Sequence, residues 1–210
     1  MPADSPPLAL PLVELPVVQP AVRRRADAVR NRERILCTAR QLMDERGPDA
    51  VSMDCVAAHA NVGKGTLYRA FGDRAGLLRA LIEEDERRLQ DELIRGLPPL
   101  GPGAPAGERL HAFGDAMLIL LDDFAPLVAE AERKGEGGGP YPFYRTHVGL
   151  LLREALPADA PVDYLADTVM SVLRGDHVLR QRQMLGMSLD ELRRGWHTLV
   201  AAMLGESTPR

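Results

Sequence analysis

The sequence has few aromatic residues and no long uninterrupted apolar run. Phe, Trp and Tyr make up 4% of its 210 residues, and Leu, Ala, Val and Met supply the apolar bulk, which favours helices over strands. No apolar stretch approaches the ~18 residues that a membrane-spanning helix needs, so we expect no membrane association. The chain is long enough to bury a core, and we predict an all-α fold.

Cysteine is scarce as well, and no CxxC pair is present. Cys37 and Cys55 occupy apolar positions of predicted helices, where a free thiol behaves as a small hydrophobic group. This pattern argues against a secreted disulfide scaffold and indicates a reducing compartment. The first residues lack the basic segment and unbroken apolar core of a signal peptide. We therefore expect a cytoplasmic protein.

Motifs that would carry catalysis or hold a cofactor are missing. The sequence contains no Ser/His/Asp arrangement, Walker loop, GxGxxG or HExxH. None of its five histidines forms a convincing i,i+4 ligand cluster with another His, Cys or carboxylate. We expect no catalytic residue, no metal and no cofactor.

Charge is divided unevenly along the chain. The net charge is −4, but residues 21–80 contain twelve Lys and Arg against seven Asp and Glu, whereas residues 81–210 contain fourteen against twenty-one. A basic first part joined to an acidic second part is expected if only the first part meets phosphate groups.

Residues 52–74 read as two short helices joined by a tight turn. Ser52 can cap the first helix, because its hydroxyl can accept a backbone N–H of the first turn, and apolar residues follow at helical spacing. Asn61-Val62-Gly63 interrupts this spacing with residue types that reach left-handed backbone angles at low cost. The second helix covers Lys64–Phe71, and Asp73 can cap the next one.

This arrangement predicts a helix-turn-helix. Leu67 and Phe71, four residues apart, point inward. The outer face of the second helix is cationic and carries hydroxyl groups; its residues are Lys64, Thr66, Tyr68 and Arg69. Such a face suits the DNA major groove, where Lys and Arg contact phosphates or guanine and hydroxyls bond to backbone or bases. An ordinary helical corner in a bundle is the alternative.

The same residues resemble the N-terminal domain of TetR/AcrR-type bacterial transcriptional regulators. The resemblance covers about residues 29–81. It rests on Gly47, Ser52, Val56, Ala57, Ala60, Val62, Gly65-Thr66-Leu67-Tyr68-Arg69, Phe71, Asp73, Arg74 and Leu77. The rest of the chain matches the family only in the number and length of its helices.

Three positions depart from the family pattern. Asn61 stands where Gly is usual and tolerates the same backbone conformation. Gly63 replaces a common Ser or Thr, and Ala70 replaces a frequent His. The last two changes remove potential phosphate contacts but leave the fold unaffected.

The residues expected to meet DNA come from two places. Arg23, Arg24 and Arg25 precede the first predicted helix and can form an arm that grips phosphates or enters the minor groove; an ordinary solvated face is the alternative. The others belong to the helix-turn-helix and its borders: Ser52, Met53, Gly63, Lys64, Gly65, Thr66, Tyr68, Arg69 and Arg74.

Composition and periodicity divide the chain into three parts. Residues 1–22, rich in proline, are expected to be a disordered tail. Residues 23–72 are expected to form a three-helix DNA-binding domain, and residues 73–210 a helical ligand-binding and dimerisation domain. About nine helices are predicted, near residues 27–46, 52–60, 64–71, 73–94, 108–122, 126–134, 141–156, 162–185 and 188–204.

The last two predicted helices carry more apolar surface than one chain can cover. The first is apolar on two sides, and the second opens with a Ser188-x-x-Glu191 capping box and has a broad apolar face. A homodimer with a four-helix interface is the simplest solution, and the resemblance implies the same arrangement. The residues assigned to this interface are Val169, Val172, Leu192, Trp196, Leu199 and Met203.

Polar and aromatic residues beside apolar helix faces suggest a small-molecule pocket in the second domain. The candidates are His111, Met117, Tyr141, Phe143, Tyr144, His147, Arg174 and His177. Together they fit a largely apolar cavity with a few polar anchors, and Arg174 and His177 could meet a ligand carboxylate. Taken singly, each is more readily explained as a core or boundary residue.

These observations, with the resemblance, predict a homodimeric regulator that binds double-stranded operator DNA. We expect a repressor that a largely apolar effector releases by favouring a spacing of the two recognition helices that no longer fits DNA. A DNA-binding or interaction protein without a ligand is one alternative. A helical enzyme with a vestigial helix-turn-helix is the other.

Overall fold

The computed structural model describes the backbone of residues 20–134 and 140–206, and the side chains of residues 27–129 and 140–206. Within these ranges the fold is all-α, as predicted, with a short 3₁₀ helix over Pro48–Ala50 and no strand. The α-helices are α1 (Pro20–Arg46), α2 (Met53–His59), α3 (Lys64–Phe71), α4 (Arg74–Arg95), α5 (Ala106–Lys134), α6 (Tyr141–Ala155), α7 (Val162–Val172), α8 (Gly175–Gln183) and α9 (Leu189–Leu204). None of these described helices is long and apolar enough to cross a membrane.

The first three helices and the start of α4 enclose a small apolar core. Helix α1 packs against α2 and α4, and α3 packs against the same two helices. Ile35 of α1, Val56 of α2, Leu67 of α3 and Leu77 of α4 are each fully buried in this core. The outer surface of α3 is therefore fixed in direction by the residues on its inner side.

Helix α1 begins at Pro20, earlier than the predicted start near Asp27. Proline is tolerated in the first helical turn because its missing N–H has no helical partner there, and the Ala and Arg residues that follow favour helix. The run Arg23–Arg25 therefore lies on a helical backbone, and its side chains lie outside the described residues. The predicted tail also lies outside them, up to residue 19.

Helix α5 is continuous over 29 residues, where the sequence predicted two helices. Pro126 lies inside it and removes one backbone N–H donor. The predicted break was wrong because α5 packs against α4, α6, α8 and α9. Phe124 and Ala129, which flank the proline, are both buried, and this packing outweighs the one lost hydrogen bond.

The single helix predicted over residues 162–185 is divided into α7 and α8. Arg174, between them, has an extended backbone with φ −81° and ψ 148°. Gly175 lies so close to α5 that an added Cβ would be 2.8 Å from the backbone nitrogen of Ala129 and 2.8 Å from Cγ1 of Val128. The break allows α8 to turn onto α5, a tertiary contact that helical periodicity does not reveal.

Trp196, the single tryptophan of the sequence, holds α9 against α5. Nε1 of Trp196 donates to the carbonyl of His111 at 3.1 Å, and a Cβ on Gly114 would lie 1.8 Å from Cε2 of the indole. The predicted capping box at the start of α9 is present, with Ser188 and Glu191 each accepting a backbone N–H of the other.

A charged cluster links the first domain to the second. Arg40 of α1 donates to Asp85 of α4, to Asp123 of α5 at 2.7 Å and to Asp44 of α1 at 3.2 Å. Its guanidinium carbon also lies 5.3 Å from the ring centroid of Phe124 on α5. One arginine thus connects three helices, and it is largely withdrawn from solvent.

Candidate nucleic-acid interface

The turn between α2 and α3 has the predicted local chemistry. The hydroxyl of Ser52 accepts the backbone N–H of Cys55 at 3.2 Å and caps α2. Asn61 has φ +51°, the left-handed conformation expected of it. At the far end of α3, Asp73 accepts the N–H of Gly76 at 2.7 Å and caps α4. These caps set the ends of both short helices.

Helix α3 presents the predicted outer face. Leu67 and Phe71 are buried, whereas Lys64, Tyr68 and Arg69 are exposed and Thr66 is half-buried. Tyr68 exposes 49% of its surface, which is unusual for a large aromatic residue. The prediction that this face projects outward is confirmed; its contact with DNA remains a prediction.

The cationic face is partly neutralised within the chain. Nζ of Lys64 lies 2.9 Å from Oδ1 of Asp54 on α2, and both side chains are exposed. The hydrogen bond and charge of Asp54 raise the pKa of Lys64. Arg69 donates to the Thr66 hydroxyl at 3.3 Å. A phosphate that approaches Lys64 therefore competes with Asp54.

The start of α3 is open to solvent. A Cβ added to Gly63 or Gly65 would meet no atom within 4 Å, and both residues are exposed. Gly63, at the N-cap, supplies no side-chain hydrogen bond. Another molecule can therefore approach the backbone of this turn closely, which is consistent with the expectation that both glycines lie against DNA.

Two predicted DNA contacts have other roles in the structure. Met53 is buried in the core of the first domain, so it cannot face DNA. Arg74 donates through Nε to the carbonyl of Val51 and through Nη2 to that of Pro48, each at 2.7 Å. These bonds engage the guanidinium with the 3₁₀ segment that precedes α2, and Arg74 braces the helix-turn-helix from behind.

Sequence reasoning missed two residues that shape this surface. Arg32 of α1 lies over the ring of Phe71, 4.7 Å from its centroid, and so covers the end of α3. Asp54 was not singled out, although its position, one residue after the apolar Met53, predicts an outward side chain. Pairing between helices cannot be read from a sequence, and both contacts cross from one helix to another.

The predicted pocket residues do not surround one cavity. Tyr141 is exposed and donates to Asp167 at 3.3 Å. His111 faces α9, where its ring stacks on that of His197 with centroids 4.6 Å apart. Arg174 lies in the α7–α8 break, with Nε 3.2 Å from Oδ1 of Asp176. These residues therefore lie in separate regions rather than in one pocket, because the helices that carry them face different neighbours.

Aromatic and polar side chains meet between α5 and α6. The Phe113 ring lies 5.7 Å from each of the rings of Tyr144 and His147, centroid to centroid. Burial and, to a smaller extent, the charge of Arg109 lower the pKa of His147 to about 4. Burial also raises the pKa of Tyr144, with a smaller effect from Glu86. The packing of α5 against α6 thus gathers four titratable groups, two of which the sequence singled out.

Glu86 could have been recognised from its spacing on α4. It shares a helical face with Ile82, Leu89 and Leu93, all of them buried. Burial and the charge of Glu83 raise the pKa of Glu86 to about 7. A carboxyl group at an apolar position of a helix indicates a buried acid, which a count of charged residues does not detect.

A groove of about 180 Å³ lies between α7, α8 and α9. It contains His177 and four of the predicted interface residues: Val172, Leu192, Trp196 and Leu199. Val169, Leu192 and Trp196 are largely buried within their own chain, and the assignment of all six residues to a dimer interface stays a prediction. Leu199 is exposed, and Val172 and Met203 are half-buried. In the described ranges, no group of three or more His, Cys, Asp or Glu is arranged to hold a metal ion.

Comparison with known proteins shows which family the first domain resembles. Residues 35–81 match the family model described as bacterial regulatory proteins, tetR family. Over 61 residues the chain is 43% identical to an HTH-type transcriptional regulator of Staphylococcus aureus strain bovine RF122 / ET3-1, a match covering 29% of this chain and 33% of that protein. A regulator of strain USA300 matches to the same extent. The chain thus matches about a third of the length of these curated relatives.

Solved structures share the whole fold. A TetR-family transcriptional regulator from Pectobacterium atrosepticum is 24% identical, with a TM-score of 0.57 and coverage of 89% of this chain and 99% of that one. A fatty acid degradation regulator from Bacillus halodurans is 18% identical, with a TM-score of 0.56 and coverage of 86% and 97%. These likenesses extend the agreement in fold to the second domain. Residues 35–81, which contain the helix-turn-helix, thus match the tetR family of bacterial regulatory proteins, and the solved structures share the fold of the rest of the described chain.

Proposed function

We propose that the chain is a homodimeric transcriptional regulator that binds operator DNA through α3 and is released by a small-molecule effector. The observation that carries this proposal is the outer face of α3. Lys64, Tyr68 and Arg69 project from a helix that Leu67 and Phe71 anchor in the core. Two such helices, one from each subunit, fit successive major grooves about one helical turn apart.

The charge distribution supports the same assignment. The excess of Lys and Arg lies in residues 21–80, and the excess of Asp and Glu follows it. A basic domain is attracted to phosphates, while an acidic one is repelled by them. We therefore assign the DNA contact to the first domain, and a site of action in the cytoplasm, where bacterial DNA is found.

The groove between α7, α8 and α9 supports dimerisation. Exposed Leu199 borders it, and Met184 and Leu185, just after α8, are also exposed. Apolar side chains grouped on one face are typical of interaction surfaces. A second copy of the chain, related by a twofold axis, would cover this face on both subunits at once.

Binding of DNA is tested by fluorescence anisotropy with the DNA upstream of the chain's own gene. We expect specific binding whose logarithmic affinity falls linearly with the logarithm of salt concentration. Lys64→Ala and Tyr68→Phe should each weaken it, by about 1–3 kcal/mol for a base contact and less for a phosphate contact. Arg153→Ala, which removes an exposed charge from α6, is the control. Unchanged affinity in both α3 variants would refute the role of this face.

A further inference from the structure

Three buried polar atoms between α5 and α6 have no hydrogen-bond partner. They are Nε of Arg109, the hydroxyl of Tyr144 and Nε2 of His147. Arg109 is on α5, and the other two are on α6. Tyr144 exposes only 3% of its surface. We call these three residues the α5–α6 polar cluster.

The members of the cluster lie close to one another. Phe113, one turn after Arg109 on α5, has its ring 5.7 Å from those of both Tyr144 and His147. The charge of Arg109 acts on His147 strongly enough to lower its pKa. Tyr144 and His147 are three residues apart and share one face of α6. The rings of Tyr144 and His147 thus both lie beside that of Phe113, one helical turn along α5 from Arg109.

Neighbouring groups leave the three atoms without partners. Nη2 of Arg109 is 3.4 Å from the carbonyl of Leu93, but Nε is not used. Gln90 is close enough to the Tyr144 hydroxyl for a weak hydrogen bond that lowers the Tyr144 pKa, but the contact falls short of full hydrogen-bond geometry. Buried polar groups are satisfied in nearly all native structures. Three unsatisfied ones at a single place therefore indicate a partner that enters from outside the chain.

The donors define the chemistry of that partner. The guanidinium of Arg109 can only donate, and it is always charged. The Tyr144 hydroxyl can donate a second bond, and neutral His147 a third if its proton is on Nε2. A guanidinium forms strong, often bidentate hydrogen bonds with anionic oxygens such as those of a carboxylate. The surroundings are largely apolar apart from the carboxyl of Glu86 near Tyr144: Phe113 and Leu110 are fully buried, and Phe143 packs edge-on to Tyr144 at 5.7 Å.

We propose that the α5–α6 polar cluster binds the carboxylate of a small organic acid whose apolar body packs against Phe113 and Phe143. This assigns a ligand class to the effector of the regulator, and its regulatory meaning rests on the function proposed above. Arg109 supplies the charge, and Tyr144 and His147 orient the carboxylate. A neutral amide of the same shape offers one acceptor oxygen and no charge, so it binds less well.

Isothermal titration calorimetry tests this with matched pairs: octanoate against octanamide, and 4-phenylbutyrate against 4-phenylbutyramide. We expect the full-length protein to bind at least one acid about tenfold or more tightly than its amide. Arg109→Met keeps the apolar stem and should abolish this preference. Tyr144→Phe should reduce it without disturbing the ring packing. Arg153→Met, which removes an exposed charge from the same helix as Tyr144, should leave it unchanged.

Three outcomes would overturn the proposal: equal affinity for acid and amide, binding of neither, or a preference that survives Arg109→Met. Each would mean that ordered water satisfies the three atoms. Circular dichroism checks that the variants fold, and Tyr144→Phe decides the question if Arg109→Met does not. Anisotropy on operator DNA without any acid is measured in parallel. Loss of specific DNA binding there refutes the proposed function and leaves the acid site standing.

Discussion

Lys64 and Asp54 form an ion pair on the surface assigned to DNA. The pair is exposed on both sides, so its own contribution to stability is small. Its effect on binding is larger, because Asp54 holds the cation and also repels incoming phosphates. An acidic residue that weakens phosphate contact in this way lowers the affinity for DNA of any sequence. Discrimination between sequences then depends more on contacts with the bases.

We expect Asp54→Asn to tighten DNA binding. The change frees Lys64 and removes one negative charge beside the phosphates, so affinity should rise by several-fold and fall more steeply with salt. Non-specific DNA should gain at least as much as the operator. Anisotropy titrations at two salt concentrations measure both effects. Asp190→Asn, on α9 of the second domain, is the control, and weaker operator binding by Asp54→Asn would contradict the assignment.

Glu86 makes stability depend on pH. Its pKa is about 7 in the folded chain against an ordinary 4.5, so the folded state retains a proton that the unfolded state releases. The stability that this proton provides is fully present below about pH 4.5 and is lost as pH rises through about 7. Glu86→Gln should therefore gain stability over the native chain between pH 5 and pH 8.

The gain should reach about 1–2 kcal/mol at pH 8, a value that allows for partial solvent exposure. Urea unfolding at pH 5, 6.5 and 8 measures it. Glu154→Gln, an exposed carboxyl on α6, should show no such trend. A difference between Glu86→Gln and the native chain that stays constant across this range would contradict the assigned titration.

The ion pairs of Arg40 connect helices of the first domain to helices of the second. Arg40 bridges α1 to α4 and α5, and it is the guanidinium on which Asp85 and Asp123 converge. Removing it leaves two partly buried carboxylates without that cation. The link thus resembles a buried ion pair, whose disruption is costly, more than a surface pair.

Arg40→Met should destabilise the fold by about 2 kcal/mol, between the values typical of surface and buried pairs. Arg95→Met is the matched control, because Arg95 pairs with Asp91 at 2.6 Å but is well exposed; its cost should be below about 1 kcal/mol. Urea unfolding gives both values. Amide hydrogen exchange should be faster in α1 and α5 of Arg40→Met than in the native chain. Equal stability loss and equal exchange in Arg40→Met and Arg95→Met would show that Arg40 does not connect these helices.

The ends of the first helices were predictable from the sequence, since local groups determine them. Ser52, Asn61 and Asp73 act on residues within three positions of themselves, and the structure confirms each. Helices α5 and α8 were mispredicted because contacts distant in sequence decide them. Pro126 fails to end α5, and Gly175 begins α8 where α5 comes close.

In the candidate site too, features set by local sequence were predicted, and features set by distant contacts were not. Alternation of buried and exposed positions on α3 gave the outer face correctly. Met53 was misassigned, because an apolar side chain near a turn carries no record of the core that receives it; the contact of exposed Arg74 with DNA stays a prediction. Two of the three residues of the α5–α6 polar cluster, Tyr144 and His147, were named from the sequence, whereas Arg109 was missed because its position depends on how α5 is rotated.

Assembly of two chains completes the proposed DNA-binding surface. We expect Leu199→Glu to break the dimer, because it places a charge on the exposed edge of the α7–α9 groove. Analytical ultracentrifugation should show monomers, and operator affinity should fall more than tenfold, since two linked sites bind far better than one. Leu150→Glu, at an exposed position of α6, is the control. A dimeric Leu199→Glu variant would place the interface elsewhere.

Helix α4 contributes to the hydrophobic core along its whole length: Leu77 and Leu81 are buried near its start, and Leu89 and Leu93 near its end. With 22 residues, it is about 33 Å long. It therefore acts as a rigid lever, and pivoting one end by about 5° displaces the other by about 3 Å, the length of a hydrogen bond. In the proposed DNA complex, a tilt of this size would shift α3 relative to the bases by the length of one hydrogen bond.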